Sequence, residues 1–256
     1  MHITIQSFGR PKNVSRYIET LDPYKATWYV PESQVKDYEE EGATVFPVPD
    51  EEYPMKAYQL NAALDNGFKD NEYVVCMDDD IVDIKNMQGE KIKLSEFIDV
   101  TYKNLSNSRF HLSGYSGLTN TFWLTGKDVE YGDVWGGFSM HKPSALRYDL
   151  KAKILEDLDY CIQQYLAFGG VLLTRSYAVK FQAMGTHETS KKRQEGGYAG
   201  SEVRQLLQDD VITYFSEKYK DDPRIKFVLG CKVGDKPHEI KWKQMWRPEN
   251  TLESFF

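Results

Sequence analysis

Two rhythms of apolar and polar positions alternate along the first 85 residues. Short runs rich in β-branched and aromatic residues, "ITIQSF" (3–8), "ATWYVP" (26–31), "TVFPV" (44–48) and "YVVCM" (73–77), read as strands. Between them lie helical segments: one near Val14–Leu21, a polar one in "ESQVKDYEEEG" that stops at Gly42, and "MKAYQLNAALDNG" (55–67). In the last, Met55, Tyr58, Leu60, Ala63 and Leu64 are the apolar positions, and Asn66-Gly67 closes the helix. Strand–helix alternation with short connections predicts a mainly parallel, Rossmann-like sheet with helices on both faces, an α/β fold. The unbroken run 73–77 suits its middle, where both faces of a strand are covered.

After residue 85 the rhythm changes. "KLSEFIDVTYKNL", "EDLDYCIQQYLAFGG" and "SEVRQLLQDDVITYFSEKY" read as helices, and "VLLTRSYAVKFQAMG" as strand-like. The stretches "SRFHLSGYSGLTNTFWLTG" and "DVEYGDVWGGFSMHKP" read as irregular strands and loops. "THETSKKRQEGGYAG" is polar and Gly-rich, a loop. No repeat or linker interrupts the chain. One domain over 1–256 is the simplest organisation, a regular half (1–84) followed by an elaborated one (85–256) with a C-terminal extension.

Composition narrows the classes. With 41% hydrophobic and 14% aromatic residues, 256 residues build a sizeable core, which argues against wholesale disorder. The net charge of −7 argues against coating nucleic acid by overall charge, though a local basic face stays open. The tail offers one: Arg224, Lys226, Lys232, Lys236, Lys241, Lys243 and Arg247 surround Trp242 and Trp246. Those residues either contact phosphates and a stacked base or divide into packed indoles and solvated lysines. Three scattered cysteines, Cys76, Cys161 and Cys231, read as reduced thiols. No signal segment precedes the first strand and no apolar run approaches ~20 residues, so a cytoplasmic, membrane-free protein is expected.

The chemistry centres on "YVVCMDDDIVDI" (73–84), where a buried-strand pattern runs into three aspartates. Ligands of open α/β sheets bind at the carboxyl ends of strands. Along an extended chain Asp78 and Asp80 point one way and Asp79 the other. Two converging carboxylates suit a hard divalent ion, Mn²⁺ or Mg²⁺, shared with a substrate diphosphate. The alternative is a solvated acidic turn. Glu156-Asp157 likewise reads either as a catalytic pair or as charges favoured at a helix N-terminus, as does Asp159. Gly136-Gly137 is an ordinary turn on the plainer reading, and Lys191-Lys192-Arg193 a solvated loop.

Taken in order, the aspartate triplet, "VWGGFSM", "LEDLDY" and "GTHETS" resemble the motif series of GT-A nucleotide-sugar glycosyltransferases. The resemblance implies a nucleotide-binding half followed by an acceptor-binding half. It implies a metal on Asp78, Asp80 and His187, and a Gly-rich loop at Gly136-Gly137 that lets backbone approach a sugar. It implies an acceptor base at Asp157, with Glu156 as runner-up. It further implies nucleotide contacts from Gln6, Ser7, Arg10, Lys56 and Asn61, ribose contact from Asp79, and diphosphate contacts from Lys191, Lys192 and Arg193.

The chain is similar in overall look to the phage TET-associated glycosyltransferases, which implies a UDP-linked donor and hydroxymethylated pyrimidine in DNA as acceptor, with inversion favoured. A glycan or small-molecule acceptor, a sugar nucleotidyltransferase and a silent binding module are the rivals. "SFGRPKNV", with one glycine, is a poor match to the nucleotidyltransferase phosphate loop.

Overall fold

The computed structural model describes residues 1–52, 56–115, 119–125, 133–182, 201–222 and 225, with backbone alone for 201–209. The loop 186–200, and with it His187 and Lys191–Arg193, lies outside the described residues. So do Cys231 and the basic tail from 226.

Seven strands form one sheet: β1 (His2–Gln6), β2 (Ala26–Pro31), β3 (Thr44–Val48), β4 (Val74–Asp78), β6 (Leu112–Tyr115), β7 (Phe138–His141) and β8 (Leu172–Thr174). Their spatial order is β3-β2-β1-β4-β7-β6-β8. The first four are mutually parallel, β7 runs antiparallel to both neighbours, and β8 is parallel to β6. The mainly parallel α/β sheet expected from the alternation is therefore present, with one reversed strand.

Helices α1 (Asn13–Leu21) and α4 (Leu94–Ser106) cover one face; α3 (Lys56–Gly67) and α5 (Glu156–Phe168) cover the other. Strand β4 shows why its run is unbroken. Val75 and Met77 pack with Tyr17, Phe97 and Ile98, while Val74 and Cys76 pack with Leu60, Ala63 and Leu64. Cys76 and Cys161 are buried free thiols, as expected. The final described helix, α6 (Ser201–Lys218), packs Val211 and Phe215 against Ile162 of α5. The polar segment 32–42 divides into a 3₁₀ turn, Glu32–Gln34, and the short α2 (Val35–Glu40).

One sequence expectation changes. The segment 171–185 is not one strand: it splits at Arg175-Ser176 into β8, in the large sheet, and β9 (Tyr177–Phe181). β9 pairs antiparallel with β5 (Ile81–Asn86), a strand the polar pattern "IVDIKN" conceals, and the two form a separate ribbon. Asp159 lies in the first turn of α5, as a charge favoured at a helix start would. It is fully buried and accepts from Lys218 Nζ (2.7 Å), Tyr219 Oη (2.6 Å) and Gln163 Nε2 (2.7 Å), tying α5 to the end of α6. Among the described residues no helix is long and apolar enough to cross a membrane.

Candidate active site

The aspartate triplet leaves the sheet at the carboxyl end of β4, next to the ends of β1 and β7. Helix α1 fixes its backbone. Tyr17 Oη donates to the Asp78 carbonyl (2.8 Å) and accepts from the Ile81 amide (3.0 Å), while Asn13 Nδ2 and Arg16 donate to the Asp79 carbonyl (2.9 and 3.1 Å). On the other side the Asp78 amide donates to the Gly137 carbonyl (3.0 Å). The strand ends at Asp78 and the chain turns at Asp79-Asp80, so Asp78 meets Lys56 while Asp79 and Asp80 both lie near Arg10.

Asp79 is fully buried. Its carboxylate accepts from Ser7 Oγ and pairs with the Arg10 guanidinium; Ser7 Oγ also shares a 2.6 Å hydrogen bond with Tyr38 Oη. Burial pushes Asp79 up to about 7 against the pull of Arg10 and Ser7. The expected ribose contact is therefore taken up by the protein: Asp79 ties the loop after β1 to the triplet. Arg10 also lies 3.6 Å from Asp80, so its charge faces two of the three aspartates.

Asp78 faces α3. Both its oxygens accept from Lys56 Nζ (2.7 and 3.0 Å), and the same ammonium donates to the Gly136 carbonyl (2.9 Å). Burial pulls Lys56 down, but Asp78 and Glu156 outweigh it and hold the ammonium above the ordinary lysine range. The Gly136 amide donates to Asp157 Oδ2 (3.0 Å), and the Leu158 amide to Asp157 Oδ1 (2.8 Å). Lys56, Asp78, Gly136 and Asp157, from four separate stretches of chain, thus form one connected cluster. Glu156 is nearly buried beside it. Burial and the adjacent Asp157 push it up to about 7, with Lys56 opposing.

The two glycines differ in role. A Cβ on Gly136 would lie 3.3 Å from Asp157 Oδ2 and 3.4 Å from Lys56 Nζ, inside the cluster. A Cβ on Gly137 would strike the Phe181 ring at 2.5 Å. The close approach that demands glycine at 137 is that of the Phe181 ring. Asn61 is not brought to the cluster. Its amide clamps the Tyr148 backbone from both sides (2.8 Å each), which anchors the segment before α5. Gln6, paired in register with Asp78, is buried; its Nε2 donates to Thr4 Oγ1 (3.1 Å), and its Oε1 meets no donor among the described residues.

An aromatic wall that sequence reasoning missed borders the carboxylates. Tyr115, at the end of β6, lies 5.2 Å from the Phe181 ring and 6.2 Å from the Trp135 ring. Burial pushes the Tyr115 phenol up, and Asp78, Asp80 and Asp157 add to the shift, so its hydroxyl shares their field. No local pattern marks these three rings as neighbours, because they come from β6, the loop before β7, and β9.

Among the described residues no three acidic, His or Cys side chains gather as a metal-binding group. Two carboxylates are nevertheless enough for an ion such as Mg²⁺ that is shared with substrate phosphates. The cations already seated on Asp78 and Asp80 show that this strand end attracts positive charge. Asp78 and Asp80 are the described carboxylates that would hold such an ion, and Asp78 is occupied by Lys56.

No family model and no curated protein matches the chain. Among solved structures it is similar to the mannose-1-phosphate geranyltransferase of Thermus thermophilus, at 12% identity over 84% of this chain and 67% of that one, with a TM-score of 0.37. A likeness that remote carries no argument about chemistry, and the functional reading rests on the cluster.

Proposed function

We propose that the protein is a glycosyltransferase that moves a sugar from a nucleotide-diphosphate sugar, UDP-linked, to a hydroxyl acceptor, a hydroxymethylated pyrimidine in DNA, with inversion. One observation carries the reading. Asp78, Lys56, the Gly136 loop and Asp157 meet within hydrogen-bond reach at the end of a central strand.

In this reading Asp157 takes the proton from the acceptor hydroxyl as its oxygen bonds to the anomeric carbon. The bond from that carbon to the diphosphate breaks, and the diphosphate leaves with the electron pair. The amides of Gly136 and Leu158 aim the carboxylate. Glu156, buried beside Asp157, is the runner-up base. Lys56 and Arg10 offset diphosphate charge, and Gln6 belongs to the same nucleotide-binding stretch. A divalent ion on Asp78 and Asp80, with His187 as a third ligand from outside the described residues, supplies further charge neutralisation when bound. Lys191–Arg193 are assigned to the diphosphate on the same footing.

The rival nucleotidyltransferase reading needs a phosphate loop after β1. Here that stretch carries one glycine, and the Gly9 amide is spent on Gln34 Oε1 (2.8 Å). The deciding experiment incubates hydroxymethylated DNA with a panel of nucleotide sugars and reads the nucleosides by mass spectrometry. A sugar adduct on the modified base is expected. Its absence with every donor would move the assignment to a glycan or small-molecule acceptor.

A further inference from the structure

A lysine ammonium has three N–H groups, and those of Lys56 all meet acceptors among the described residues. Two go to the Asp78 carboxylate (2.7 and 3.0 Å) and one to the Gly136 carbonyl (2.9 Å). Lys56 is also the first residue of α3, at the end of the helix whose dipole disfavours a cation. The ammonium is therefore held in place by Asp78 and not by the helix. The two side chains are 27% and 29% exposed, so a ligand can reach the pair. A phosphate oxygen gains a hydrogen from Lys56 only if Asp78 or Gly136 gives one up. An ion that binds a remaining lone pair of Asp78 lies beside an ammonium, and like charges at that range repel.

We propose that Lys56 is an internal competitor for the cation position on Asp78, a residue that makes the site specific for a diphosphate carrying its own divalent ion. The inference rests on the nucleotide-diphosphate reading of the same site. When the two arrive together, Asp78 passes from the ammonium to the ion, and Lys56 passes from Asp78 to a phosphate oxygen. Each charge exchanges one partner of opposite sign for another. A diphosphate that draws Lys56 away alone leaves the part-buried Asp78 unpaired and facing a second anion. An ion that takes Asp78 alone leaves Lys56 without its nearest carboxylate at the positive end of α3. Ion and diphosphate therefore favour each other's binding, and that coupling is reciprocal.

The test measures Mn²⁺ affinity by calorimetry on the full chain, without nucleotide and with UDP. In wild type, UDP should tighten Mn²⁺ binding about 5- to 150-fold, the ordinary range of coupling between ligands, and Mn²⁺ should tighten UDP by the same factor. Lys56→Met removes the competitor and is expected to tighten Mn²⁺ binding without nucleotide by about fivefold or more. Lys56→Arg keeps the charge and should bind Mn²⁺ as wild type does. Asp78→Asn added to Lys56→Met should abolish the gain. Unchanged Mn²⁺ affinity in Lys56→Met overturns the inference. So does an equal gain in Lys56→Arg, because charge is then not the cause, or a gain that survives Asp78→Asn. Wild type that binds UDP and Mn²⁺ independently overturns the inference while leaving the nucleotide reading intact. A gain in Lys56→Met that Asp78→Asn abolishes, in a protein that binds UDP under no condition, supports the competition and sinks the nucleotide reading instead.

Discussion

Lys56 and Asp78 stand 22 residues apart in the chain and form the tightest link in the cluster, with the ammonium 2.7 and 3.0 Å from the two carboxylate oxygens and 2.9 Å from the Gly136 carbonyl. One cation joins the end of β4 to the loop that aims Asp157. Lys56→Met keeps the apolar stem and removes the charge. The side chains of both partners are more than a quarter exposed, so the stability cost is moderate, about 1–2 kcal/mol in urea unfolding. UDP affinity should fall by more than about tenfold, since a diphosphate loses a charge-assisted donor. Calorimetry that finds wild-type UDP affinity in this variant would remove Lys56 from the donor site.

Asp80→Ala tests the divalent ion separately, because Asp78 keeps its Lys56 partner. Manganese-dependent enhancement of UDP binding should disappear in the variant, while the weaker binding measured in EDTA is unchanged. An intact manganese response would show that the ion, if one acts, sits elsewhere.

Asp157→Asn preserves an oxygen that can accept from Gly136 or Leu158, so the loop and the start of α5 should keep their geometry. Transfer is expected to fall by about 10²- to 10⁴-fold with donor affinity retained, the usual loss when a general base is removed. Near-normal turnover in a single-turnover assay would shift the base to Glu156.

Gly137→Ala would set a methyl group 2.5 Å from the Phe181 ring. The ring must move, and with it the wall against Tyr115. A destabilisation of about 1–3 kcal/mol is expected, as for overpacking elsewhere in cores. Pairing it with Phe181→Leu should recover part of that loss in a double-mutant cycle. Strict additivity of the two changes would mean that the contact is not the cause.

His141 sets a pH dependence remote from the cluster. It is fully buried in β7 on Ser139 Oγ (2.8 Å), edge-on to Tyr148 and Tyr160. Burial, with Arg147 nearby, pulls it from the ordinary 6.5 down to about 3. The folded protein therefore binds this proton less readily than the unfolded chain. The stabilisation is fully present above about 6.5 and is lost as pH falls toward 3. The slope from this group approaches about 1.4 kcal/mol per pH unit. Urea unfolding of His141→Gln between neutral and acid pH should show a flatter profile than wild type.

The sequence by itself determined the frame. Alternation of short apolar runs with helical periods specified a mainly parallel sheet, because a strand covered on both faces must be apolar at every position, as Val74–Met77 are. The period of two placed Asp78 and Asp80 together and Asp79 apart, but the strand ends at Asp78, and Arg10 lies near both Asp79 and Asp80 while Asp78 pairs with Lys56. Order of motifs along the chain was also legible, since it depends on no distance. The regular elements from 94 to 106, 156 to 168 and 201 to 218 announced themselves through helical spacing alone.

What balances the aspartates was decided only by the tertiary structure. Periodicity shows that Asp78 is presented at a strand end, but not that α3 begins there with Lys56, nor that the loop after β1 folds back to put Arg10 on Asp79. The same holds for Gly137, whose glycine answers to a ring on β9, and for the wall of Trp135, Tyr115 and Phe181. Local sequence encodes the direction in which a side chain leaves its own backbone. The partner it meets depends on how distant strands are ordered in the sheet, and that order, with β7 reversed between β4 and β6, is fixed by packing over the whole molecule.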